Sequence, residues 1–209
     1  VYKGSMPAEY GGRLSSVLDI VMNEGNNQDY HVSGGIGLIS SKLNIEGPIQ
    51  KGKSSFLLTG RRTYADMFLK LSNDDALKNS QLYFYDVNAK VNYTINDKNR
   101  IFLSGYFGRD VLGVNDLFGF DWGNATGTLR WSHVVNNKLF SNTSLIYSDY
   151  SYNINIEANG VDFSIKSKIQ DWNLKQEFQY YLNTKHTIKF GLNAIYHTIN
   201  PGNISATGT

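Results

Sequence analysis

Along residues 82–95 the side chains alternate in character. The odd positions are Tyr83, Tyr85, Val87, Ala89, Val91, Tyr93 and Ile95, and the even ones are Phe84, Asp86, Asn88, Lys90, Asn92 and Thr94. Successive residues of a strand point to opposite faces, so this order builds a ribbon with one apolar and one largely polar face. On a helix the two classes would be scattered around the axis. Tyr at both ends of the apolar stripe is the pattern of aromatic girdles at the two interfaces of a bilayer.

The pattern repeats. Ile188, Phe190, Leu192, Ala194 and Tyr196 alternate with Thr187, Lys189, Gly191, Asn193 and His197. Trp172, Leu174, Phe178, Tyr180 and Leu182 oppose Asn173, Lys175, Glu177 and Gln179. Gly123, Ala125, Gly127, Leu129 and Trp131 oppose Asn124, Thr126, Thr128, Arg130 and Ser132. Segments 100–110 and 139–152 alternate less cleanly. Runs this long suit a tilted bilayer crossing of about 9–11 residues, whereas soluble strands average about 5–6.

Short polar turns separate the runs: Gln50-Lys51-Gly52-Lys53, Asn96-Asp97-Lys98-Asn99, Asn136-Asn137-Lys138 and Asn183-Thr184-Lys185. Asn, Asp and Gly are turn residues. Between the short turns, longer connections are expected at 62–81, 111–120, 153–162 and from 200 onward. Short turns at one end and long loops at the other are the asymmetry of a transmembrane barrel. The expected fold is therefore an all-β, antiparallel transmembrane β-barrel, of which this chain supplies a fragment. Within 63–79, Tyr64, Met67, Phe68 and Leu71 fall at helical spacing, which predicts a short helix in the first long loop. Tyr64 and Phe68 are its candidate substrate contacts, and a loop packing on itself is the alternative.

Composition narrows the function classes. The chain of 209 residues holds 14 Tyr, 11 Phe, 3 Trp and 20 Gly beside 3 Pro, a balance that favours strands. Its net charge of +2 gives no case for nucleic acid. With no Cys there is no disulfide framework and no thiolate metal site. His31, His133, His186 and His197 lack metal-ligand spacing, so neither a metal nor a cofactor is expected. No apolar run reaches the roughly 18 residues of a membrane helix. Mean hydropathy is −0.36, but a transmembrane strand escapes that test because only every second residue faces lipid. Starting at Val1 without Met and stopping in a polar run, the sequence reads as cut from something longer. No nucleophile–base pair is visible. Gly34-Gly35-Ile36-Gly37 lacks the Lys and helix of a phosphate loop, and strand glycines are the better reading. The expectation is a protein that is not an enzyme.

Residues 1–30 do not follow the hairpin pattern. Pro7-Ala8-Glu9-Tyr10-Gly11-Gly12-Arg13-Leu14-Ser15-Ser16-Val17-Leu18-Asp19-Ile20 reads as a Gly-rich turn entering a short strand, and 23–29 as a polar linker. The run from Pro7 to Ile20 resembles the closing segment of the plug domain in TonB-dependent outer-membrane receptors. Gly34-Gly35-Ile36-Gly37-Leu38, Glu46-Gly47-Pro48-Ile49 and Phe56-Leu57-Leu58-Thr59-Gly60-Arg61-Arg62 resemble that family's first three barrel strands. The similarity is strongest to the branch with a carboxypeptidase-regulatory-like extension. The plug wording departs from the branch that imports glycans with a surface lipoprotein.

The resemblance implies a plug end and linker at 1–28, then the N-terminal portion of the barrel at 29–209, roughly nine of about 22 strands. It implies active import of a scarce solute across the outer membrane of a Gram-negative bacterium. The energy would come from proton-motive force, through a TonB complex that contacts a segment not present here. The other partners implied are outer-membrane lipid and a possible surface lipoprotein or other outer-membrane protein. Family members hold the plug by salt bridges to the inner wall, which makes Glu9, Arg13, Glu46, Arg61 and Arg62 the candidate plug–wall contacts. Two alternatives stay open: a passive porin or structural barrel in an assembly, and a soluble β-sheet binding module.

Overall fold

The computed structural model describes residues 8–10, 16–17, 21–115, 117–158 and 160–208. A 3-10 turn at Ala8–Tyr10 is followed by nine strands: β1 (His31–Ile36), β2 (Ser40–Gln50), β3 (Ser54–Thr63), β4 (Gln81–Asn96), β5 (Asn99–Val114), β6 (Phe118–Asn136), β7 (Leu139–Ala158), β8 (Val161–Tyr181) and β9 (Thr187–Gly208). They form one antiparallel sheet in sequence order, every neighbour a hairpin partner. The sheet is not closed: β1 and β9 each pair along one edge only. The strand expected near 14–20 falls largely outside the described residues. Two short helices, α1 (Asp66–Leu69) and α2 (Asp75–Lys78), sit in the 64–80 connection, where the helical spacing lies.

Three of the short turns share one device. The Oδ1 of Asn96, Asn136 and Asn183 accepts from the backbone N–H two residues on: Lys98 at 3.0 Å, Lys138 at 2.9 Å and Lys185 at 2.9 Å. Asn136 and Asn183 also accept from the next residue. An Asx side chain thus replaces the backbone acceptor a tight reversal lacks.

At the other end the structure corrects the expected loops. Only the 64–80 connection is long. Strand β5 runs to Val114 and β6 starts at Phe118, β7 runs to Ala158 and β8 starts at Val161, and β9 continues past 200. The physical reason lies in the pairing register, which keeps each strand's face assignment continuous. Below this region one face carries Phe107, Leu129, Leu145, Leu174 and Leu192. In the extension the same face carries Arg109, Asp121, Asn153, Lys166 and Ser164, while the opposite face carries Phe120, Trp122, Tyr152, Ile154 and Ile165. The alternation inverts without breaking. A reading that follows one face sees its pattern fail and expects a loop.

Burial is inverted as well. Among the described residues the only buried large apolar side chains are Leu57, 9% exposed, and Phe102, 6% exposed, and both lie on the polar face. Apart from Gly47, Pro48 and Gly108, the other buried residues among those described are polar or charged: Ser54, Ser55, Thr63, Ser80, Asp86, Lys90, Asn92 and Ser144. Leu103, Leu129, Trp172, Leu174 and Phe190 stand exposed on the apolar face. A water-soluble sheet buries its apolar face, so this is the reverse of the usual order.

Candidate functional site

Residues 21–27 lie across the polar face of β3–β5, near the end of the sheet that carries the short turns. The Glu24 carbonyl accepts from Ser55 Oγ and from Asn92 Nδ2, both at 2.8 Å. Asn92 is 2% exposed and also donates to Ser55 Oγ. Lys90 Nζ donates to the Met22 carbonyl at 2.9 Å. The Glu24 carboxylate meets Arg100 Nη2 at 2.6 Å, and Arg100 also donates to Asn92 Oδ1. Further along, Gly52 N–H donates to the Asn27 carbonyl at 2.9 Å. Gly25 has φ +81°, and a Cβ there would run into the Phe56 carbonyl. Only glycine allows both the turn and the close approach.

Register explains why these residues converge. Ser55 pairs with Asn92, and Asn92 with Phe102, so all three share one face of three adjacent strands. Lys90 and Arg100 flank Phe102 on the same face, with Arg130 beyond it on β6. The Arg130 guanidinium lies 4.4 Å and that of Arg100 4.9 Å from the Phe102 ring centroid. A cation over an aromatic face is attracted by the ring quadrupole. The patch is thus an extended segment held by backbone-directed hydrogen bonds and one charge pair, set in a cationic surround.

The residues singled out in the sequence fall elsewhere. Arg13 lies outside the described residues, as does the side chain of Glu9. Arg61 is on the polar face but pairs with Asp86 of the neighbouring strand at 2.8 Å, not with residues 21–27. Arg62 points to the apolar face, its guanidinium 5.7 Å from the Tyr83 ring centroid. Glu46 is on the polar face, and no ion pair to it occurs among the described residues. Tyr64 is tied to the β1–β2 hairpin, its hydroxyl donating to the Gly37 carbonyl and its N–H to the Ile39 carbonyl. Phe68 is exposed on α1. The contacts that do hold the segment, Ser55, Lys90, Asn92 and Arg100, were legible only as the polar half of an alternation. Glu24 read as a linker residue.

A second cluster sits in the strand extensions. Phe120 and Trp122 have ring centroids 4.6 Å apart, and Tyr152 approaches Phe120 edge-on at 6.3 Å. These rings lie on the same face as the 21–27 segment but toward the opposite end of the strands. Comparison with known family models, curated proteins and solved structures finds no match to this chain.

Proposed function

We propose that this sheet is a section of the wall of an outer-membrane β-barrel, with residues 21–27 the end of a plug held against its lumen side. The supporting observation is the inverted burial: an exposed apolar face, bounded by aromatic rings, backs a polar face that holds the segment. On β4 the apolar stripe runs from Tyr83 to Tyr93, eleven residues whose ten steps span about 33 Å of strand. At a tilt of about 40° that covers about 25 Å, the height of a barrel's apolar band. One set of aromatic residues at its margin is Tyr83, Tyr85, Phe107, Tyr147, Trp172 and Tyr196; the other is Tyr93, Trp131, Phe178 and Phe190. Phe178 and Phe190 stack at 5.1 Å.

The first margin is staggered across the register. Tyr85 pairs with Arg109 and Arg109 with Gly123, while Tyr147 pairs with Gly127, four positions along β6. Stagger of this sense is what strand tilt and barrel closure require. Open edges cannot face hydrocarbon, so in this reading further strands complete the wall. Polar residues on the lipid side near the short turns, Thr143, Gln176 and Ser141, bond to one another, which removes their desolvation cost.

Within this reading the function is import of a scarce solute, driven through TonB and proton-motive force. The plug resemblance around Gly11-Gly12-Arg13 supports the drive, and the held segment at 21–27 supports a plug that can be released. Partners are a TonB complex, outer-membrane lipid and a possible surface lipoprotein. The location is the outer membrane of a Gram-negative bacterium. The test is binding of the full-length protein, in detergent, to the purified periplasmic domain of TonB. Saturable binding is expected. A folded, membrane-inserted protein with no affinity for that domain would leave the passive barrel as the function.

A further inference from the structure

The apolar face carries charges beyond its aromatic margin, and two of its cations are matched on the sheet. Arg109 pairs with Asp121, and Lys168 with Asp149 at 2.9 Å. Arg62 stands opposite Tyr85 on the same face and has no carboxylate partner among the described residues; its neighbour is the Tyr83 ring. Beside it the sheet is hollow. An open concavity of about 1110 Å³ is lined on this face by Gly34, Leu43, Gly60, Arg62, Tyr85 and Val87, and Lys42, Arg61 and Asp86, which the register assigns to the opposite face, also border it. Gly34, Leu43, Gly60 and Val87 form one continuous row across β1–β4, and a Cβ on Gly60 would meet nothing within 4 Å. The row is a trough with an apolar bed and a cation at its rim.

We infer that this trough seats one phosphate-bearing acyl lipid, its chains over Gly60 and its phosphate on Arg62. The inference rests on the membrane reading above. Charge complementarity selects the occupant. An unmatched guanidinium at a bilayer interface takes an anion, and its planar fork suits a phosphate. The apolar bed favours a lipid over free phosphate, because each buried methylene adds about 0.8 kcal/mol.

The experiment uses the full-length protein in phosphatidylcholine nanodiscs doped with lipid A, and native mass spectrometry counts the lipid retained. The wild type is expected to keep one lipid A, and Arg62→Gln or Gly60→Leu to keep about tenfold less, the scale of a charge-assisted bond. Dephosphorylated lipid A should be lost from all three. Equal retention across the variants, equal retention of the dephosphorylated lipid, or displacement by inorganic phosphate alone would overturn the lipid seat. Protease protection in the same nanodiscs separates the two claims. Protected proteins with indiscriminate lipid retention sink only the seat, and an unprotected wild type sinks the membrane reading beneath it.

Discussion

Glu24 and Arg100 are far apart in sequence and 2.6 Å apart in space. Each side chain is 39% exposed, so water screens the pair and its contribution is about 1 kcal/mol. Reversing one charge, as Glu24→Arg, turns attraction into repulsion beside Lys90 and Arg130. Limited proteolysis of the full-length protein within residues 21–30 should quicken by about fivefold, the factor that about 1 kcal/mol of local opening implies. Adding Arg100→Glu to that variant should restore protection. Cleavage that is unchanged in Glu24→Arg would show that the backbone bonds from Ser55 and Asn92 hold the segment alone. At this scale the sequence was least informative. Glu24, Gly25 and Asn27 read as a polar linker because their partners lie on β3–β5 and in the β2–β3 turn, and no local spacing announces a contact across that distance. Arg61 and Arg62 are both candidate plug–wall contacts in the sequence, yet adjacency in a strand sends them to opposite faces, one to Asp86 and the other to Tyr83.

Strands and turns were largely legible. The alternation over 82–95 is β4, the neighbouring alternations became β6, β8 and β9, and the Asn-led turns are hairpins. Period-two patterning and Asx turns are local signals, which is why they survive without tertiary knowledge. The expected loops at 111–120 and 153–162 were not legible as strand, because apolar residues change face there. If the band on β4 lies in lipid, charge should cost energy on one face alone. Ala89→Lys, near the middle of the Tyr83–Tyr93 stripe, should destabilise the inserted protein by about 2–4 kcal/mol. Asn88→Lys, one residue away on the polar face, should change stability by less than about 1 kcal/mol. Urea unfolding from phospholipid vesicles measures both, and equal costs would remove the distinction between the faces.

For the molecule as a whole, the proposed barrel wall puts the exposed apolar face outside and the polar face with the 21–27 segment inside, with that order reversed in the strand extensions. Overall class was legible from sequence as an all-β antiparallel sheet. An open sheet is what a fragment of about nine strands implies, while the inversion emerges only from the pairing. The sequence contains no Cys, so single cysteines can be placed at will within it. The most direct measurement attaches a spin label at each position from 85 to 93 of the full-length protein in vesicles, and at Asp121 and Trp122. Collision rates with oxygen and with a water-soluble nickel chelate report lipid and water exposure. The account predicts oxygen-favoured labels at 87, 89 and 91, a nickel-favoured label at 88, and labels at 90 and 92 shielded from both reagents by the segment that covers Lys90 and Asn92. It also predicts a reversal in the extension, with 121 open to the aqueous reagent and 122 less so. Uniform access of the nickel chelate to 87, 89 and 91 would contradict it, because that face would then lie in water.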